Sequence, residues 1–120
     1  MRPDSRDASY LLDMLEAAQK VQTYLRDKTE EDYQADDLLR DAVERNIEIM
    51  GEAARRLSEP FKLAHPEIPW RKMIAQRNVI VHEYDNISTD EIWEVATIRV
   101  PELISLLKPL IPPLPPEVED

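Results

Sequence analysis

Arg77 and His82 stand five residues apart in Arg77-Asn78-Val79-Ile80-Val81-His82-Glu83-Tyr84, and they are the residues of this chain best equipped for chemistry. Trp70, Met73, Ile74 and Val81 follow the i, i+3, i+4, i+11 stripe of an amphipathic helix, and the i+7 position of that stripe is Arg77. A guanidinium on an apolar stripe is costly unless it has a partner, because it cannot shed its proton to escape burial. Histidine is the side chain whose ordinary pKa lies nearest neutrality, so it can both take and give a proton there. An arginine to hold an anion and a histidine to move a proton are the minimum equipment for metal-free cleavage of a phosphodiester. The plain alternative is coincidence: an Arg and a His within two turns occur by chance in many helices, and the core-facing placement of Arg77 is what argues against it.

Geometry limits how the pair can act. At about 100° per residue, positions five apart lie roughly 140° around a regular helix, so Arg77 and His82 cannot point into one site on a single face, whereas Arg77 and Tyr84 can. Two arrangements resolve this. The helix can end near His82, with His82 and Tyr84 alternating onto one side of an extended segment; or a two-fold dimer can bring two motif ends together, so that one cleft holds two Arg–His pairs. Both together are expected. Asn78 can orient His82, contact substrate through its amide, or lie on the surface. Val79, Ile80 and Val81 are read as core filler, Glu83 as solvated, and Tyr84 as an amphipathic side chain that can pack with its hydroxyl at the surface.

The elements that must position this motif are helices. One glycine in 120 residues and no long polar linker leave little room for anything else. A first helix begins near Ser5 or Asp7 and carries Leu11, Met14, Leu15, Ala18, Val21 and Leu25. Residues 26–32 turn the chain, with Thr29 a candidate N-cap. A second, longer helix runs to about Leu57 on the stripe Val43, Ile47, Met50, Ala54 and Leu57, and Ser58-Glu59-Pro60 ends it. Gly51, the lone glycine, costs that helix about 1 kcal/mol relative to alanine. Something therefore approaches its backbone closely, either another helix or a ligand, with helix packing the stronger reading.

His65-Pro66-Glu67-Ile68-Pro69 is a loop, since each proline pushes its predecessor away from helical angles, and His65 in it is read as a solvated residue. Pro69 suits the first turn of a third helix, Trp70 to about Val81. After a turn at 85–88, Ser88 or Thr89 caps a last helix bearing Ile92, Val95, Ala96, Val100, Leu103, Leu107 and Leu110. Pro101 lies inside that helix and is expected to bend it. Residues 111–120 read as a mobile, proline-rich acidic tail in extended polyproline conformation. The expected fold is all-α: an antiparallel bundle of four to five helices over residues 1–110.

Bulk properties exclude several classes. Without cysteine there is no disulfide framework, thiol nucleophile or Cys-based zinc site. The charged N-terminal residues do not resemble a secretion signal, and no apolar run matches a membrane span, so a cytoplasmic protein with no membrane partner is expected. A net charge of −10 argues against broad attraction to nucleic acid, though not against RNA held in a small basic cleft.

With Arg77, Asn78 and His82 in view, the chain resembles the HEPN superfamily, whose motif is Arg, four to six residues, then His, with a polar residue after the Arg. More closely it resembles the HepT-like toxins encoded beside minimal nucleotidyltransferase antitoxins, whose extended motif Arg-x-x-x-x-His-x-Tyr is met by Arg77, His82 and Tyr84. Ile49-Met50-Gly51-Glu52-Ala53, Pro66-Glu67-Ile68-Pro69-Trp70 and Trp93 also look like that family, and the resemblance covers roughly residues 6–110. It implies a HEPN-like homodimer acting as a metal-independent endoribonuclease toxin with no cofactor. In it Arg77 stabilises the charged transition state, and His82 is the general acid or base on the 2′-hydroxyl or leaving oxygen. The resemblance also implies control by AMP transfer to Tyr84 from a nucleotidyltransferase antitoxin. In so acidic a chain the RNA cleft would rely on Arg77, on Arg71 and Lys72 beside Asn78, and on Arg45, Arg55 or Arg56. The competing class is a non-catalytic helical module that binds nucleotide or RNA as partner of a nucleotidyltransferase. Growth arrest on expressing the chain alone separates the two.

Overall fold

The structure is a computed structural model and describes residues 3–112. Helix α1 (Ser5–Leu25) starts where the Asp4 carboxylate accepts a hydrogen bond from the Asp7 amide at 2.7 Å. It buries Leu11, Met14, Ala17, Ala18, Val21 and Leu25 along one face. Asp27, at φ 61°, takes the left-handed step that turns the chain. Thr29 then caps α2 (Glu30–Ala35) with a reciprocal capping box: its hydroxyl accepts from the Asp32 amide while the Asp32 carboxylate accepts from the Thr29 amide.

The sequence reading expects one long helix from here to Leu57, and the structure corrects it. The helix breaks at Asp36, whose extended backbone and side chain cap a separate α3 (Asp37–Arg56) by accepting from the Leu39 amide. The break lets α2 swing Tyr33 into the core, where it is fully buried against Trp93 at 5.6 Å between ring centroids.

A second correction follows α3. Ser58 does not merely end a helix. It caps α4 (Glu59–Ala64) with its side chain, and Pro60 sits in the first turn, where a missing amide proton costs nothing. The same Ser58 donates through its amide and hydroxyl to the buried Asp7 carboxylate at 2.9 and 2.6 Å, which ties the start of α1 to the end of α3. His65, expected in solvent, is packed instead. Its ring lies 4.5 Å from that of Phe61, and its Nδ1 is 3.2 Å from the Glu67 carboxylate. Its carbonyl and that of Lys62 both accept from the Trp70 indole N–H, at 3.0 and 3.2 Å. Trp70 is thereby anchored as the first residue of α5 (Trp70–His82).

Beyond α5, Tyr84–Asn86 form a single 3-10 turn. Ser88 caps α6 (Thr89–Glu94), which passes through a widened π turn at Val95–Arg99 into α7 (Val100–Leu107). The expected bend thus has a specific form. Pro101 offers no amide and its ring crowds the carbonyl four residues back; the preceding turn absorbs this by pairing the Val100 amide with the Val95 carbonyl, five residues away. Ile92, Ala96, Val100, Leu103, Ile104 and Leu107 still reach the core. The all-α class holds, with no strand among the described residues. Of the expected tail, residues 113–120 lie outside the described residues.

α3 packs between α1 and α5. Gly51 sets its distance from α5. A Cβ at residue 51 would overlap the Cβ of Arg77 and stand 2.6 Å from the Met73 carbonyl oxygen, so the glycine serves helix packing. Side-chain rotation relieves neither contact, because the Arg77 Cβ is fixed by its backbone and the Met73 carbonyl is backbone itself. Gly51→Ala should therefore lose about 1–3 kcal/mol to overpacking despite its better helix propensity. Chemical denaturation should show a lower midpoint; an equal or higher midpoint would contradict the tight seam.

Candidate active site

Arg77 sits where the stripe places it, facing α3, and its stem crosses the backbone of Gly51. One Nη lies 3.2 Å from the Glu52 carboxylate, and the other donates to the Asn78 side-chain oxygen at 2.9 Å. The guanidinium is thus half-buried (20% exposed) but partnered, as the cost of stranding a charge requires. Its Nε is fully covered and has no hydrogen-bond partner. The Asn78 amide oxygen serves Arg77, and Asn78 itself is exposed on the outer surface of α5.

Glu52 gathers more than one arginine. Its carboxylate also accepts from Arg55 at 2.8 and 3.2 Å and from Arg56 at 2.8 Å, both on its own helix. The Arg55 hydrogen bonds, then those of Arg56, hold the Glu52 carboxyl well below its ordinary 4.5, at about 2, against the opposing effect of burial. Arg77 adds a smaller lowering through its charge. Arg77, Glu52 and Arg56 line one wall of a hollow of about 270 Å³ whose other walls include Tyr10, Asp13, Arg45 and Glu48. Arg45 is itself paired with Glu48 at 2.6 Å.

Arg71 and Lys72, expected to support substrate, are exposed in the first turn of α5 and do not line this hollow. Besides Arg77, the arginines that do are Arg45 and Arg56, lesser candidates in the sequence. Glu52 was missed as a site residue.

His82 is the last residue of α5 and is exposed; among the described residues no side-chain hydrogen bond or ion pair engages it. The helix does end there, but the segment that follows is the 3-10 turn and not the extended strand that would set His82 beside Tyr84. Arg77 and His82 therefore remain on different sides of one regular helix. Of Val79, Ile80 and Val81, expected to fill the core, only Ile80 packs against it. None is buried, and Val81 is 37% exposed although it falls on the expected stripe. Past Ile80 the helix has outrun the surface it packs on: Tyr84, just beyond its end, is 71% exposed. Among the described residues no group of three His, Cys, Asp or Glu side chains is arranged to hold a metal ion, and no helix is long and apolar enough to cross a membrane.

The linkage for Glu52 has a definite sign. A carboxyl depressed in the folded state stabilises the fold above its ordinary 4.5, and that contribution disappears as pH falls toward about 2. Glu52→Gln should remove it, so the two proteins should differ in denaturation midpoint at pH 6 and converge by about pH 2. Parallel curves across that range would contradict the ion cluster.

The profile of the family described as "Ribonuclease HepT-like" matches residues 14–110. A protein of Thermococcus cleftensis named "Probable ribonuclease HepT" is 35% identical over 94 residues, covering 78% of this chain and 86% of that protein. A Methanocaldococcus jannaschii protein named as a "putative RNase" is 30% identical over 112 residues, 93% of each chain. A second protein of that organism, named as a γ-glutamylcyclotransferase and "putative RNase", is 35% identical over 94 residues; the chain spans 78% of itself but only 42% of that longer protein. No solved structure matches significantly. The chain belongs to the HepT-like ribonuclease family.

Proposed function

We propose that this protein is a metal-independent endoribonuclease toxin, active as a homodimer in which the ends of two α5 helices form one cleft. The observation that carries the reading is a charged arginine built into the α3–α5 seam of a HepT-like ribonuclease fold. Its histidine partner stands on another side of the same helix, with no side-chain hydrogen bond or ion pair among the described residues. A two-fold axis near the end of α5 would set Arg77 of one protomer near His82 of the other. Support comes from the surface there: Val81 and Tyr84 are exposed, and Val79 and Ile80 are only half-covered. The radius of gyration, 15.1 Å, also exceeds the about 13 Å of a compact domain of this size.

In that cleft His82 would take the proton of the ribose 2′-hydroxyl or give one to the departing 5′-oxygen, and Arg77 would hold the extra charge on the phosphoryl oxygens. Control would fall on Tyr84. Attack of its hydroxyl on the α-phosphate of ATP, catalysed by a nucleotidyltransferase antitoxin, would form a tyrosyl–AMP ester, release pyrophosphate and leave the phenolic proton to a base. The attached phosphate would then repel an RNA phosphate from the cleft. The exposure of Tyr84 makes that hydroxyl accessible.

The Arg77–Glu52 pair favours one second reading, a structural ion pair in a non-catalytic partner of a nucleotidyltransferase. Mutation separates the two. Arg77→Ala should reduce RNA cleavage by about 10²–10³-fold and His82→Ala by about 10²–10⁴-fold, both with the fold intact by circular dichroism and with wild-type activity surviving EDTA. If Arg77→Ala only lowers the melting temperature and cleavage tracks the folded fraction, the structural reading wins. Intact-mass analysis after incubation with the antitoxin, ATP and magnesium should show one added AMP, absent in Tyr84→Phe. AMP on that variant at Tyr10, Tyr24 or Tyr33 would move the modification elsewhere.

A further inference from the structure

We infer that Glu52 is a positioning residue for Arg77, fixing its guanidinium so that its remaining N–H groups face the hollow and the scissile phosphate. The inference rests on the ribonuclease reading above and adds a residue to it. Gly51 and Glu52 are consecutive on α3 and act on successive parts of one side chain: the glycine lets the Arg77 stem lie against the helix, and the glutamate takes its head. With one Nη on Glu52 and the other on Asn78, the guanidinium plane is held at two points. Each Nη keeps a second proton for an incoming oxygen.

A carboxylate next to a phosphate site needs a reason not to repel the substrate, and the cluster supplies one. Arg55 and Arg56 hold Glu52 from its own helix at i+3 and i+4, and Arg77 adds a third guanidinium. Three guanidinium groups around one carboxylate more than neutralise Glu52 itself, while Asp13 and Glu48 also line the hollow, the latter paired with Arg45. Because Arg55 and Arg56 fix the carboxylate before substrate arrives, Glu52 can orient Arg77 without competing for the place of the phosphate. Preorganised donors of this kind lower the barrier because they need no rearrangement as charge develops. A loose Arg77 stem would instead swing with the sparsely held end of α5.

The test uses the full chain and a fluorescently labelled mixed-sequence RNA, with Glu52→Ala, Glu52→Gln, Arg77→Ala and the double variant Glu52→Ala/Arg77→Ala. Glu52→Ala should lower kcat by about 10- to 100-fold, as small misplacements of a catalytic group do, with little change in KM. Glu52→Gln, which keeps an acceptor oxygen, should lose less. In the Arg77→Ala background, removing Glu52 should cost almost nothing further, because the group it orients is already gone. If Arg77→Ala is severely impaired while both Glu52 variants keep wild-type kcat, the positioning role is wrong and the ribonuclease reading stands. Additive losses in the double variant, or losses that follow only the folded fraction, assign Glu52 a general structural role and also overturn the inference. A wild-type chain that leaves the RNA intact overturns the ribonuclease reading and this inference with it.

Discussion

The approach of α3 to α5 at Gly51 is the constraint on which the rest of the site depends. Helices normally pack 8–10 Å apart, a distance set by the side chains between them. Here the side chain is missing on one helix, and the space is taken by the stem of an arginine from the other. The two helices thus share one charged side chain at their closest point. The guanidinium could not be carried into that seam alone, which is why the residue next to the glycine is an acid and why that acid is held in turn by Arg55 and Arg56. Backbone approach and charge burial are two consequences of one local arrangement.

The remainder of the fold fixes α5 at its beginning and middle and holds its last turn only through Ile80. Trp70 is held through its indole N–H by two carbonyls and packs near Phe61. The short helix α4 exists to present that pocket, and Ser58 secures α4 to the buried carboxylate of Asp7. Past Ile80 there is no comparable hold. α5 packs on α3 and meets only the 3-10 turn beyond it as a further substantial neighbour. A helix pinned in this way presents His82 and Tyr84 at an edge, where a second protomer or a modifying enzyme can reach them.

Much of this was legible in the residues. Caps at Thr29 and Ser88, the helical stripes, the loop before Pro69 and the meaning of Gly51 all follow from local rules, because each is decided by a few neighbours in sequence. What was not legible depends on long-range partners. The break at Asp36 reads as an ordinary polar residue until Tyr33 is seen to need the core. Ser58 reads as a helix stop until it is seen to cap α4 and bind Asp7. His65 looks solvated until Phe61 and Glu67 are beside it. Val81 continues an apolar stripe perfectly well, but periodicity cannot reveal that the surface it would pack on has ended. For the site, Arg77 was identified by being a charge in an apolar register, whereas Glu52 was missed because a glutamate among arginines looks like any solvated helix face.

The central claim is that Arg77 and His82 act together only across two protomers, since one regular helix keeps them roughly 140° apart. Subunit mixing tests it most directly. Arg77→Ala and His82→Ala chains, each inactive alone, would be co-expressed with different tags and the mixed dimer purified through both. The account predicts that this dimer regains a substantial part of wild-type RNA cleavage, because one intact Arg77 and one intact His82 then meet across the axis. A mixed dimer as inactive as its parents would contradict it.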